Sequence, residues 1–147
     1  MTSGRIRSSR NTAMDLLSRR EHSRQELSTK LQQREFSEPE ISAALDKLEQ
    51  EGLLSNRRFA ESFVLQRLAR GYGPIRIRHE LLDRGIDESM IQDLLSAQEN
   101  SWSDLMQQQR IRKFGTEIPL DYKEKMKQAR FLQNRGFSPE SVMRLFR

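Results

Sequence analysis

Cysteine is absent from the 147 residues, so neither a disulfide framework nor a thiolate metal site can form, and a reducing compartment is compatible with the chain. Histidine occurs twice, as His22 and His79, and no acid–histidine cluster has metal-ligand spacing. No metal or other cofactor is expected. The 7 glycines and 4 prolines are too few for a low-complexity linker. No apolar run approaches the ~20 residues that cross a bilayer, and the N-terminus Met1-Thr2-Ser3-Gly4-Arg5 lacks the apolar stretch of a signal peptide. A soluble, cytoplasmic chain with no membrane partner is expected. An enzyme is not: Gly71-x-Gly73 lacks the lysine of a phosphate-cradling loop, and no Ser-His-Asp arrangement follows from spacing.

What the sequence has is a repeat. Phe36-Ser37-Glu38-Pro39-Glu40-Ile41 returns as Ile86-Asp87-Glu88-Ser89-Met90-Ile91 and again as Phe137-Ser138-Pro139-Glu140-Ser141-Val142. Each copy sets a large apolar residue, a helix-capping residue, a polar turn and a β-branched residue in order. Leu45, Leu95 and Phe146 follow one turn later, while Arg34, Arg84 and Arg135 precede each copy with Leu31, Leu81 and Leu132 three residues before them. A period of about fifty residues predicts stacked helical units in place of a single globule.

Helix signals divide each unit into three. Residues 1–10 are basic and polar without apolar periodicity and read as a flexible tail. The first unit, 11–54, places a helix over 11–20, a capping box at Ser23 to Glu26, and a second box at Ser37 to Glu40 with Pro39 in the first turn. The second, 55–98, starts at Ser55 or Asn56, breaks at Gly71-Tyr72-Gly73-Pro74 and restarts at Asp87. The third, 99–147, opens at Ser101 to Asp104, loops over Gly115 to Pro119, and has Asp121 cap a helix whose inner side carries Tyr122, Met126, Ala129 and Leu132. No strand is expected. The fold class that follows is all-α, an elongated, curved array of three tandem three-helix repeats.

Net charge is +5, but it alternates in sign along the chain. Residues 56–85 carry seven bases and three acids, residues 86–104 no base and five acids, and residues 105–147 ten bases and four acids. Segregated basic and acidic surfaces follow. Arginine supplies 20 of the 26 bases, which suits planar contact with phosphates or carboxylates.

The segments Arg20-Glu21-His22-Ser23-Arg24-Gln25-Glu26-Leu27, Gly52-Leu53-Leu54 with Arg58-Phe59-Ala60-Glu61-Ser62-Phe63, and Gly71-Tyr72-Gly73-Pro74 with Arg76-Ile77 and Glu80-Leu81 closely resemble the RecX family of bacterial regulatory proteins. The resemblance covers about residues 11–147 and is most specific in the middle stretch. It implies tandem three-helix repeats and a non-catalytic monomer that binds the RecA–DNA filament. It further implies that such binding modulates, mostly inhibits, the recombinase, ATPase and co-protease activities in DNA repair and the SOS response. Contact with single- or double-stranded DNA is implied as well. The chain departs from the pattern at Glu35, where the other repeats hold Gly85 and Gly136, and at Ser55-Asn56.

Two basic surfaces are candidates for RecA or DNA. One comprises Arg57, Arg58, Arg67, Arg70, Arg76, Arg78 and Arg84, with Tyr72 either stacking on a base or capping the core; Arg24 is the candidate in the first repeat. The other comprises Arg110, Arg112, Lys113, Lys123, Lys125, Lys127 and Arg130, whose alternating lysines spread charge around a helix as a basic sleeve. A solvated helical face also accounts for such charge. Trp102 reads as packing at a repeat junction. The rival function is a RecA-independent helical DNA-binding protein, with one helix of a unit in a groove.

Overall fold

Seven side chains of the kind that start helices do so here. Ser8, Ser23, Ser37, Ser55, Asp87, Asp121 and Ser138 each accept the N–H three residues on, which satisfies one of the orphan donors of a first turn. The computed structural model describes residues 8–147. Its helices are α1 Ser9–Arg19, α2 Arg24–Gln33, α3 Glu38–Gln50, α4 Asn56–Ala69, α5 Pro74–Asp83, α6 Glu88–Ser96, α7 Trp102–Phe114, α8 Tyr122–Asn134 and α9 Pro139–Leu145, with a 3-10 turn at Glu99–Ser101 before α7. No strand occurs among the described residues.

Three local expectations need correction. Of the expected tail, 1–7 lie outside the described residues, but Ser8 caps α1 and Ser9 and Arg10 form its first turn, where Ser9 is buried and Arg10 pairs with Glu51 at 2.6 Å. Both halves of the capping box form at Ser23, whereas at Ser37 only the serine half forms. Tyr122 is turned outward from α8, not inward.

The apolar positions collect into three separate cores, one per repeat. Leu27, Leu31, Ile41, Leu45 and Leu48 with Ala13 and Leu16 fill the first. Phe59, Phe63, Ile77, Leu81, Ile86 and Ile91 fill the second, and Met106, Ala129, Leu132, Phe137, Val142 and Phe146 the third. Trp102 packs against both the second and third cores. Three cores in series are the array that the repeat predicted, and each is too shallow to be independent of its neighbour.

The third core is also polar. Counting back four residues from Leu31, Leu81 and Leu132 gives Leu27, Ile77 and Gln128, and Gln128 is buried like the other two. Its carbonyl receives the guanidinium of Arg110 at 3.4 Å.

One turn geometry closes the second helix of every repeat. Phe36, Ile86 and Phe137 each donate their N–H to the leucine carbonyl five residues back, at 3.3, 3.1 and 3.2 Å. The residue between is left-handed in all three: Glu35 at φ 66°, Gly85 at 81° and Gly136 at 106°. At the latter two, glycine also makes room. A Cβ on Gly85 would stand 2.6 Å from the Gln25 amide oxygen, and one on Gly136 would stand 2.5 Å from the Arg76 Cβ and 2.9 Å from its nitrogen. These turns are where each repeat docks on the one before it. Gly73 N–H donates to the Arg135 carbonyl at 2.8 Å and Ile75 N–H to that of Gly136 at 3.0 Å, while the Gln25 amide donates to the Asp83 carbonyl at 2.7 Å. Glu35, in the first repeat, is exposed, so its side chain has space and the position keeps only the backbone strain.

Candidate interaction surface

The arginines of the middle repeat are largely spoken for inside the protein. Arg67 pairs with Glu80 at 3.0 Å, both mostly buried, and Arg76 reaches the same carboxylate at 3.6 Å. Arg67 and Arg84 also lie over the Phe63 ring, at 4.6 and 4.8 Å from its centroid. Arg84 reaches back to Glu26 of the first repeat at 3.7 Å. The Tyr72 ring is covered from within the protein: Arg76 lies over it at 3.7 Å and Arg135, from the third repeat, at 4.5 Å. The Arg135 guanidinium also donates to the Arg70 carbonyl and to the Gln109 side chain, so Tyr72 is a clasp between repeats.

Exposed members of this set are paired too. Arg57 faces Glu61 at 3.5 Å, Arg58 faces Glu21 at 2.8 Å, and Arg78 faces Glu88. Arg24 sits between Asp46 and Glu49. Such surface pairs contribute little to stability, but they lower the local positive field. Among the described residues, Arg70 alone of the middle set is exposed without an ion pair; it lines a groove of about 410 Å3 between the first two repeats, with Arg20, Arg67, Arg84, Glu21 and Glu26.

The third repeat differs. Arg110 is 3% exposed, and its guanidinium binds the Gly115, Thr116 and Glu117 carbonyls, so it has no surface to offer a partner. Five other cations of the candidate surface carry no ion pair among the described residues. Arg112, Lys113, Lys123, Lys127 and Arg130 are exposed and none is within 4 Å of a carboxylate among the described residues. Lys123, Lys127 and Arg130 stand at i, i+4 and i+7 on α8, which makes one stripe. Lys125 is half-buried on the opposite side. The expected sleeve is therefore a stripe, because α8 must bury Ala129 and Leu132 and can expose only one face. Lys113 lies over the Phe131 ring at 5.3 Å, beside that stripe.

Spacing reasoning passed over Arg135 and His22 as functional parts. Arg135 had a signal, its shared register with Arg34 and Arg84. His22 is buried, with Nδ1 donating to the Arg20 carbonyl at 3.0 Å and Nε2 accepting from Lys30 at 2.9 Å. Burial above all holds its pKa below the usual 6.5, and the nearby Arg20 and Lys30 charges act in the same direction. Glu26 shifts the other way from what burial favours. Its burial raises the pKa, but the Arg20 guanidinium and the Ser23 N–H bring it below the usual 4.5. No cluster of His, Asp and Glu among the described residues can hold a metal ion, and none of their helices is long and apolar enough to cross a membrane.

Comparison with known proteins gives a consistent picture. Family models described as the first, second and third three-helix domains of RecX match residues 10–48, 55–95 and 103–146. A regulatory protein RecX of Pseudomonas fluorescens strain SBW25 is 51% identical over 136 residues, covering 92% of this chain and 88% of that one. One of Pseudomonas syringae pv. tomato is 47% identical over the same span. Among solved structures, RecX from Lactobacillus salivarius superposes with a TM-score of 0.77 at 22% identity, covering 94% of each chain. A second crystal structure of a regulatory protein RecX also gives 0.77, at 24% identity, over 94% of this chain and 71% of that one.

Proposed function

The chain belongs to the RecX family, and from that premise we propose that it is a non-catalytic regulator that binds the RecA–DNA filament and restrains it. The observation that carries the contact surface is the segregation of charge: most arginines of the middle repeat, Arg70 excepted, are paired within the fold, while five exposed cations of α7 and α8 have no carboxylate within 4 Å among the described residues. A free basic face favours an anionic partner and steers its approach. The filament supplies such a partner, in its DNA phosphates and in acidic protein surface.

The array suits a periodic target. A weak contact per repeat, summed over three linked repeats, gives avidity that a single unit lacks. Bridging neighbouring RecA protomers would then oppose the movements tied to ATP hydrolysis, and with them strand exchange and co-protease action. Inhibition further requires tighter binding to one filament state, since equal affinity for both shifts nothing. The protein would act as a cytoplasmic monomer in DNA repair and the SOS response.

Binding to single- and double-stranded DNA, with and without RecA and a nonhydrolysable nucleotide across a salt series, tests the reading. Affinity that depends strongly on RecA is expected. Equal affinity for bare DNA, falling steeply with salt, would instead show a RecA-independent DNA-binding protein.

A further inference from the structure

The loop that leads into α8 and the first residue of that helix leave three apolar side chains in water. Ile118 is 43% exposed, Leu120 95% and Tyr122 74%, and they alternate along five residues. The segment is anchored at both ends. Arg110 donates to the Gly115, Thr116 and Glu117 carbonyls at 3.3, 3.1 and 3.1 Å, and Asp121 caps α8 through the Glu124 N–H at 3.1 Å. Arg110 is buried without a carboxylate, its charge met by neutral oxygens alone. Burying a cation in that way is costly, and a plain connection between two helices would not require it. The fold thus spends stability on holding this loop in one shape with its aliphatic side chains outward.

We propose that Ile118, Leu120 and Tyr122 form a hook that enters an apolar pocket on a protein, and that carboxylates beside the pocket meet Lys123 and Lys127 on the adjoining turns of α8. The inference rests on the proposed filament reading, and it assigns the hook to the protein component, RecA, and not to DNA. Aliphatic side chains favour a protein pocket, since Leu120 and Ile118 bring no donor to phosphates or base edges and a wedge between base steps must offset the cost of unstacking them. Charge decides against a bilayer. Glu117, Asp121 and Glu124 are interleaved with the lysines, and an anionic membrane of one sign repels half the segment. A protein surface can place an acid opposite each lysine and a neutral or basic group opposite each acid. The hook is also continuous with the free cations of α8, so one partner can engage both.

The test uses the full chain and a Leu120→Ser/Tyr122→Ser variant, which should fold normally because both side chains are exposed. Each is co-sedimented with RecA filaments on single-stranded DNA, and titrated separately against the DNA alone and against vesicles rich in phosphatidylserine. The expected result is roughly tenfold to hundredfold weaker filament binding with an unchanged salt slope, and no change with DNA or vesicles. If the parent chain binds filaments and the variant binds equally well, the hook is wrong while the filament reading stands. An equal loss on bare DNA, or a loss confined to vesicles, would assign the segment to nucleic acid or lipid and overturn the proposal. If the parent chain ignores filaments, both readings fail together.

Discussion

Three glycine-to-alanine variants separate backbone strain from crowding at the joint between the second and third repeats. At Gly52 the backbone is left-handed, φ 76°, and a Cβ would meet nothing within 4 Å, so Gly52→Ala carries strain alone. At Gly73 φ is an ordinary −88°, but a Cβ would stand 2.5 Å from the Gly136 carbonyl and 2.8 Å from the Phe137 ring, so Gly73→Ala carries crowding alone. Gly136 combines a φ of 106° with a Cβ 2.5 Å from that of Arg76 and 2.9 Å from its backbone nitrogen. Left-handed alanine costs about 1–2 kcal/mol, and overpacking against backbone about 1–3 kcal/mol. All three variants regain about 0.4–1 kcal/mol by restricting the unfolded chain, so that contribution cancels in comparison. Gly136→Ala should therefore lose about 1–3 kcal/mol more than Gly52→Ala and about 1–2 kcal/mol more than Gly73→Ala. Urea unfolding followed by circular dichroism gives the three values. Equal losses at Gly52 and Gly136 would refute the claim that the repeats meet through that glycine turn.

Other consequences follow from single residues. Glu35→Gly should raise stability by about 0.5–1 kcal/mol, since relief of left-handed strain exceeds the added freedom of the unfolded chain; a lower urea midpoint would contradict this. His22 is held neutral when folded, so the unfolded chain binds the extra proton first. Stability is full above pH 6.5 and falls as pH drops below it, by up to roughly 1.4 kcal/mol per unit until the folded pKa is reached. His22→Gln should abolish that slope in urea midpoints measured between pH 7.5 and 5.5. Arg110→Met leaves three loop carbonyls without their donor, and amide exchange over the loop from Gly115 to Asp121 should quicken while α2 and α5 stay protected; unchanged exchange would mean that Arg110 does not hold the loop.

Much of the fold was legible because its signals are local. The serine and aspartate caps, the Gly-Pro restart at Gly73-Pro74 and the fifty-residue recurrence each speak through nearest neighbours, and the boundaries of α4, α5, α6 and α9 follow from them. The start of α1 was missed because Ser9 and Arg10 look polar in sequence and are drawn in by α3, through Glu51. The candidate surface was less legible for a physical reason. An arginine in sequence carries a charge whether or not a carboxylate lies beside it, and the partners of Arg67, Arg58 and Arg24 stand 13 to 37 residues away. The run of seven arginines favoured the middle repeat although residues 105–147 carry the larger net charge, whereas pairing removes most of those arginines and leaves α8 exposed. The outward turn of Tyr122 was hidden for a related reason. Gln128 takes the core position of Leu27 and Ile77 and binds Arg110, and the first turn of α8 lies beyond that packed stretch.

The most direct measurement compares two pairs of charge reversals for binding to RecA filaments at low and moderate salt. Lys127→Glu/Arg130→Glu should weaken binding roughly tenfold or more and flatten its salt dependence, because both are unpaired on the α8 stripe. Arg57→Glu/Arg78→Glu, drawn from cations already matched by Glu61 and Glu88, should stay within about threefold of the parent chain. The opposite ranking would move the contact surface to the middle repeat and contradict the account.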